Sequence, residues 1–172
     1  MSRESRSSHL VGRFFTSLRP RPVDEADRVW VRLLLTPSEL AVWEPLGRAD
    51  QAESLAVARR VAHALGSDAD PRWLAAALLH DAGKSDARLG TVGRAAATVV
   101  AGLASHGRAR RWPNRIGRYV AHDDLGAARL TAAGARPEVA AWAAVHHRPD
   151  RRAASGIPPD VCAVLAAADG ER

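Results

Sequence analysis

A histidine and an aspartate stand side by side as His80 and Asp81, at the end of an apolar run that begins at Leu74. Gly83 and Lys84 follow at once, so the stretch closes on His-Asp-Ala-Gly-Lys. An imidazole beside a carboxylate offers two ligand types to one metal ion. A carboxylate can also bridge two ions, and two-metal sites serve phosphoryl chemistry. Lys84 would supply a point charge for a phosphate. Taken alone, a His-Asp pair is more often a polar helix end with no chemistry, because short motifs match by chance. The longer pattern, an apolar helix running into these five residues, is more specific.

Further residues of ligand type fall at expected helix ends. His122 is expected to close a later helix, His146 and His147 the one after it, and Asp169 lies near the end of the last. Helix termini that converge can build one pocket from distant sequence positions. The competing explanation for each histidine is a simple C-terminal residue favoured by the helix dipole. His9 and His106 fall in expected tail or loop and His63 in mid-helix, so these three are assigned no role.

The elements that must position these groups read as helices throughout. Composition is 47% hydrophobic with few aromatics apart from five tryptophans, which favours helix over strand. Asp24 is placed to cap a helix through about Leu35. Thr36, Pro37 and Glu39 form a capping-box signature for the next. A longer helix is expected over about 48–65, ended by Gly66, with Leu55, Ala58, Ala62 and Leu65 on one face. Asp70 and Pro71 start the central helix, whose buried side is Trp73, Leu74, Ala77 and Leu78. Helices are then expected over 89–105, 113–122, a segment capped by Asp123 or Asp124 and ending at Gly134, 137–147 and 158–169. Residues 149–156 read as a basic loop. The fold class is all-α, one domain of about eight helices over 23–172, preceded by a basic extension over 1–22.

Charge is uneven. Arg3, Arg6, Arg13, Arg19 and Arg21 against Glu4 place +4 of the net +6 in residues 1–22. His9 to Leu18 can form a short amphipathic helix, which would dock on the domain or make weak contact with an anionic membrane surface. A second cluster holds Arg108, Arg110, Arg111, Arg115 and Arg118, and guanidinium forks suit phosphate. Nucleic acid is disfavoured as a partner, since only Trp112 and Tyr119 interleave these arginines. A single cysteine, Cys162, excludes an internal disulfide framework and fits a cytoplasmic setting. The longest apolar run, 95–103, is about half of what a membrane span needs.

The order His80-Asp81-x-Gly-Lys84, His122, His146-His147, Ala168-Asp169 resembles the HD-domain superfamily of metal-dependent phosphohydrolases, over roughly residues 46–170. The resemblance implies a helical domain binding one or two divalent ions (Mn, Fe, Mg or Zn) and cleaving a small phosphorylated substrate, a nucleotide above all. It implies His80, Asp81 and Asp169 as ligands of one ion and His122 and His146 as ligands of a second, with Asp81 between them. His147 is an alternative to His146 or its neighbour. Asp81 and Lys84 would be the catalytic residues, with Lys84, Arg115 and Arg118 on the substrate and Arg148, Arg151 and Arg152 adding charge. The segment from His122 to Gly126 fits the superfamily's His-x-x-x-Gly pattern. The first ligand departs from the pattern: Glu53 precedes Ser54-Leu-Ala-Val-Ala58 where the superfamily has histidine. Glu53 would either ligate, favouring a harder ion, or mark a degenerate site serving as a nucleotide- or metal-binding module.

Overall fold

A computed structural model describes residues 22–87, 109 and 111–170. The N-terminal extension and the helix expected over 89–105 lie outside these residues, apart from Pro22. Among the described residues the chain forms eight α-helices and no strand.

Local signals set most helix starts. Helix α1 (Glu25–Leu34) has Asp24 as N-cap, with Asp27 completing a capping box. Helix α2 (Pro37–Trp43) has the expected box between Thr36 and Glu39. Helix α3 (Arg48–Leu65) ends at Gly66, whose φ of 55° suits a residue without Cβ. Helix α4 (Pro71–Leu79) starts with the Asp70 carboxylate accepting from the Arg72 N–H. Then come α5 (Arg115–Val120), α6 (His122–Ala133), α7 (Pro137–Val145) and α8 (Pro159–Asp169). Short 3-10 turns span Gly66–Asp68, Ala82–Ala87 and Pro149–Ser155.

Three expectations are corrected. His122 opens α6 rather than closing α5. The N-cap of α6 is Ala121, so Asp123 and Asp124 lie in the first turn instead of capping it. The 149–156 segment is not irregular loop but mostly 3-10 turn.

Helix α4 is the hub. Every residue from Trp73 to Leu79 is buried, as a helix apolar on all sides requires. It packs against α3 and α7 most extensively, and also meets α1, α2 and α8. Trp43, Trp142, Leu130 and Leu165 are the large buried side chains around its own Leu78 and Leu79. Trp43 keeps its polar end satisfied by donating from Nε1 to Ser54 Oγ at 3.1 Å.

Two ion pairs with buried carboxylates hold the outer helices. Arg136, preceding α7, donates to both Glu39 oxygens, from Nε at 2.8 Å and Nη2 at 2.6 Å. Arg59 of α3 pairs with the fully buried Asp27 of α1. With α4 thus enclosed, its C-terminal end and the turn that follows it meet α6, α7 and α8, where the ligand-type residues lie.

Candidate metal centre

His80 is the C-cap of α4, His122 the first residue of α6, and His146 the C-cap of α7. All three are buried. Each uses the same device. Nδ1 donates to the carbonyl three residues earlier: Ala77 at 2.8 Å, Tyr119 at 2.7 Å and Ala143 at 2.9 Å. A carbonyl only accepts, so Nδ1 carries the proton and Nε2 is left facing the interior. Carbonyls in the last turn of a helix lack intrahelical partners, which explains why helix ends supply them. The bond fixes both tautomer and ring orientation, as an outer partner does for a metal-ligating histidine.

The three Nε2 atoms converge on Asp81. Its Oδ1 lies 3.2 Å from His122 Nε2 and 3.6 Å from His146 Nε2. Its Oδ2 lies 3.2 Å from His80 Nε2, which is also 3.1 Å from Asp169 Oδ1. The three Nε2 atoms and Asp81 Oδ1 are buried polar atoms without a hydrogen-bond partner. Such atoms carry a desolvation cost unless something binds them.

The spacing fits a cation. Ligands about 2.1 Å from a tetrahedral ion stand roughly 3.4 Å apart. The contacts to Asp81 Oδ1 straddle that value. Ligand atoms of Asp81, His122, His146 and His147 lie within 4.8 Å of one another. His147 is exposed, and its ring centroid lies 5.2 Å from that of His122 and 4.0 Å from that of His146. The donor set, imidazole with carboxylate, suits Zn, Mn or Fe.

Electrostatics agree with the contacts. Burial pushes the Asp81 carboxyl up, but the His80 charge and contacts from the three histidines hold it well below its usual range. Burial pushes His80 down, but the Asp81 and Asp169 carboxylates outweigh it and raise it to about 10. Burial raises Asp169, and His80 overrides it to hold the carboxyl low. Burial lowers Lys84, yet Asp81 first, then Glu53 and Tyr119, raise it. Lys84 donates from Nζ to Asp81 Oδ2, the oxygen on the His80 side.

No protein-family model, curated protein or solved structure matches this chain. The site therefore stands on its own geometry.

The expected residues divide into three groups. His80, Asp81, Lys84, His122, His146 and Asp169 are brought together at the converging helix ends. Both His146 and His147 reach the cluster, His146 from a buried position and His147 from an exposed one. Glu53 lies on an exposed position of α3, outside the group around Asp81, and acts on the site through its Coulombic pull on Lys84. Arg115 and Arg118 are exposed on α5, the helix that carries the Tyr119 carbonyl.

Arg148 and Arg152 are engaged inside the protein. Arg148 reaches Asp123 and Asp124, each at 2.8 Å, tying the end of α7 to the first turn of α6 beside His122. Arg152 donates to the His146 carbonyl and lies over the Trp142 ring at 5.5 Å. Both lock helix ends that carry ligands.

Sequence reasoning missed the contact that sets the spacing of the site. Gly83 lies against the α6 backbone so closely that an added Cβ would stand 2.0 Å from the His122 carbonyl oxygen and 2.7 Å from the Gly126 nitrogen. The two glycines sit face to face, and Arg129 Nη1 donates to Ser85 Oγ at 3.0 Å nearby. The His-x-x-x-Gly pattern thus has a packing reason: Gly126 lets the turn after Asp81 reach the helix that bears His122. Asp169 has a hidden support as well, since Arg60 Nε donates to the Ala168 carbonyl at 2.7 Å.

Proposed function

We propose that this chain is a metal-dependent phosphohydrolase acting on a small phosphorylated molecule, with a nucleotide as the leading substrate class. The observation that carries this reading is the trio of buried imidazoles, each with Nδ1 committed to a carbonyl and Nε2 directed at Asp81 without a hydrogen bond. The order of these residues along the chain, similar to the HD-domain superfamily, supports it.

A divalent cation held by these groups supplies Lewis acidity toward a phosphoryl oxygen and a more acidic water. The chain's own residues supply placement and charge. Asp81, held ionised, presents one oxygen to the His122 and His146 side and one to the His80 side. Lys84 keeps an ammonium at the edge of the cluster, where its side chain is 17% exposed and can meet a phosphoryl oxygen. Asp169 and Asp81 are similarly part-exposed, so the buried ligands have a solvent-facing rim. Arg115 and Arg118 on α5 add positive charge for the rest of an anionic substrate.

His80→Ala and Asp81→Ala are each expected to abolish metal-dependent turnover of a phosphatase and nucleotide panel while leaving the far-ultraviolet circular dichroism intact. Full turnover in both variants would overturn the assignment.

A second reading draws on Glu53. It lies exposed and outside the group around Asp81, as expected of a weakened site that binds a nucleotide or metal with little catalysis. Glu53→His discriminates: a gain in turnover favours the binding-module reading, and a loss makes Glu53 a working part of the enzyme.

A further inference from the structure

We infer that the site holds a single divalent cation, between Asp81 Oδ1, His122, His146 and His147, and that the Lys84 ammonium takes the place of a second cation beside His80 and Asp169. This rests on the metal-dependent reading above and specifies how the site is filled.

The two oxygens of Asp81 are not equivalent. Oδ1 is buried, lies 3.2 Å and 3.6 Å from two imidazole nitrogens, and has no hydrogen-bond donor. Oδ2 accepts from Lys84 Nζ. The His122 side therefore presents an unsatisfied carboxylate oxygen with imidazoles at ligand spacing. On the other side, the corresponding oxygen is already occupied by a fixed positive charge.

His80 Nε2 lacks a hydrogen bond as well and sits 3.1–3.2 Å from carboxylate oxygens of Asp169 and Asp81, so what separates the two sides is the ammonium on Asp81 Oδ2. A dication there would have to share Asp81 Oδ2 with the ammonium. Lys84 is not displaced easily, because its side chain is mostly buried and its ammonium is bonded to Asp81 Oδ2. Glu53, the residue that could complete a ligand set on this side, lies exposed and outside the group around Asp81.

Charge gives the same count. Two carboxylates, Asp81 and Asp169, face the Lys84 ammonium, so one dication already makes this group net positive, which suits an incoming phosphate. A second would add to that excess within a few ångströms, in a partly buried site.

The test is metal stoichiometry on the full chain, stripped with chelator, reloaded with Mn(II) or Zn(II), desalted and measured by mass spectrometry. Mn(II) electron paramagnetic resonance separates isolated from spin-coupled ions. Wild type is expected to hold about one equivalent with the spectrum of an isolated ion. Lys84→Met and Lys84→Gln, both checked for folding by circular dichroism, are expected to rise to about two, and Lys84→Arg to stay at one. His146→Ala is expected to lose the ion and His80→Ala to keep it. A wild type with two coupled ions, Lys84→Met and Lys84→Gln that stay at one, or an ion lost with His80 but kept without His146 would each overturn the inference and leave the hydrolase reading standing. No ion bound by wild type at all would overturn both.

Discussion

Replacing Gly83 by alanine tests whether the turn after Asp81 sets the geometry of the site. The added methyl would stand 2.0 Å from the His122 carbonyl oxygen, whereas real Cβ contacts do not fall below 3.0 Å. The two backbones must therefore part by about 1 Å, and no flexible side chain lies between them to absorb the strain. Overpacking of this kind costs about 3 kcal/mol. In a chain of 172 residues that lowers Tm by roughly 6–12 °C. The same displacement would stretch the 3.2 Å separation of His122 Nε2 from Asp81 Oδ1 to about 4 Å, past the roughly 3.4 Å edge of a tetrahedral site. Metal affinity should fall about tenfold or more. Gly126→Ala is the internal control. Its methyl would lie 3.0 Å from the Gly83 nitrogen, a tight but smaller intrusion, and alanine gains up to about 1 kcal/mol over glycine within a helix. Thermal melts with and without Mn(II), and competition against a chromogenic chelator, read both effects. The reasoning fails if Gly83→Ala melts within about 2 °C of wild type with unchanged Mn(II) affinity, or if Gly126→Ala is the more damaging change.

Glu39 predicts an acid limb in the stability curve. Burial pushes its carboxyl up, but Arg136 and the backbone N–H groups of Thr36 and Arg136 overcome this and hold it below its usual value. The folded pKa lies below the unfolded one, so this contribution is complete above the unfolded carboxyl range and is lost as pH falls through the folded value. Glu39→Gln should be clearly less stable than wild type at neutral pH, with the gap narrowing in acid; a gap independent of pH would refute the assignment. Arg60→Ala removes the bond to the Ala168 carbonyl and should cost roughly 1 kcal/mol, because the arginine is exposed. It should also loosen the backbone at Asp169, read as faster amide exchange at the end of α8; unchanged exchange there would refute a positioning role.

What the sequence revealed and what it hid follow from the range of the interactions. The caps at Asp24, Thr36 and Asp70 are settled within three residues, so their helices start where residue types predict. The boundary between α5 and α6 has no such signal. Ala121 caps without a side-chain bond, while Asp123 and Asp124 are cap residue types lying in the first turn. There they complement the helix dipole, and Arg148 from the far end of α7 pairs with both. Gly83 looks like a helix breaker, yet the helix has already ended at its His80 cap and the chain continues as a 3-10 turn. Its lack of a Cβ serves a contact with α6 that no local reading contains. Glu39 was legible as half of a capping box, but its burial against Arg136 joins residues 97 apart.

The histidines show why a helix-end position and a ligand role need not compete. The dipole argument treats an imidazole near a helix C-terminus as a cap for free carbonyls, and Nδ1 of His80 and His146 does bond such carbonyls in α4 and α7. His122 does the same for the last turn of α5 although it belongs to α6. Capping uses one nitrogen and leaves the other. Because the capped nitrogen carries a proton, only the remaining one can offer a metal a lone pair, and it does so once the ring is neutral. The C-cap position therefore prepares the ligand: it fixes the tautomer, aims Nε2 inward and buries it beside Asp81. A histidine that merely capped its helix could turn Nε2 to solvent. Here three of them, from three helices, bury that atom within 3.6 Å of one carboxylate.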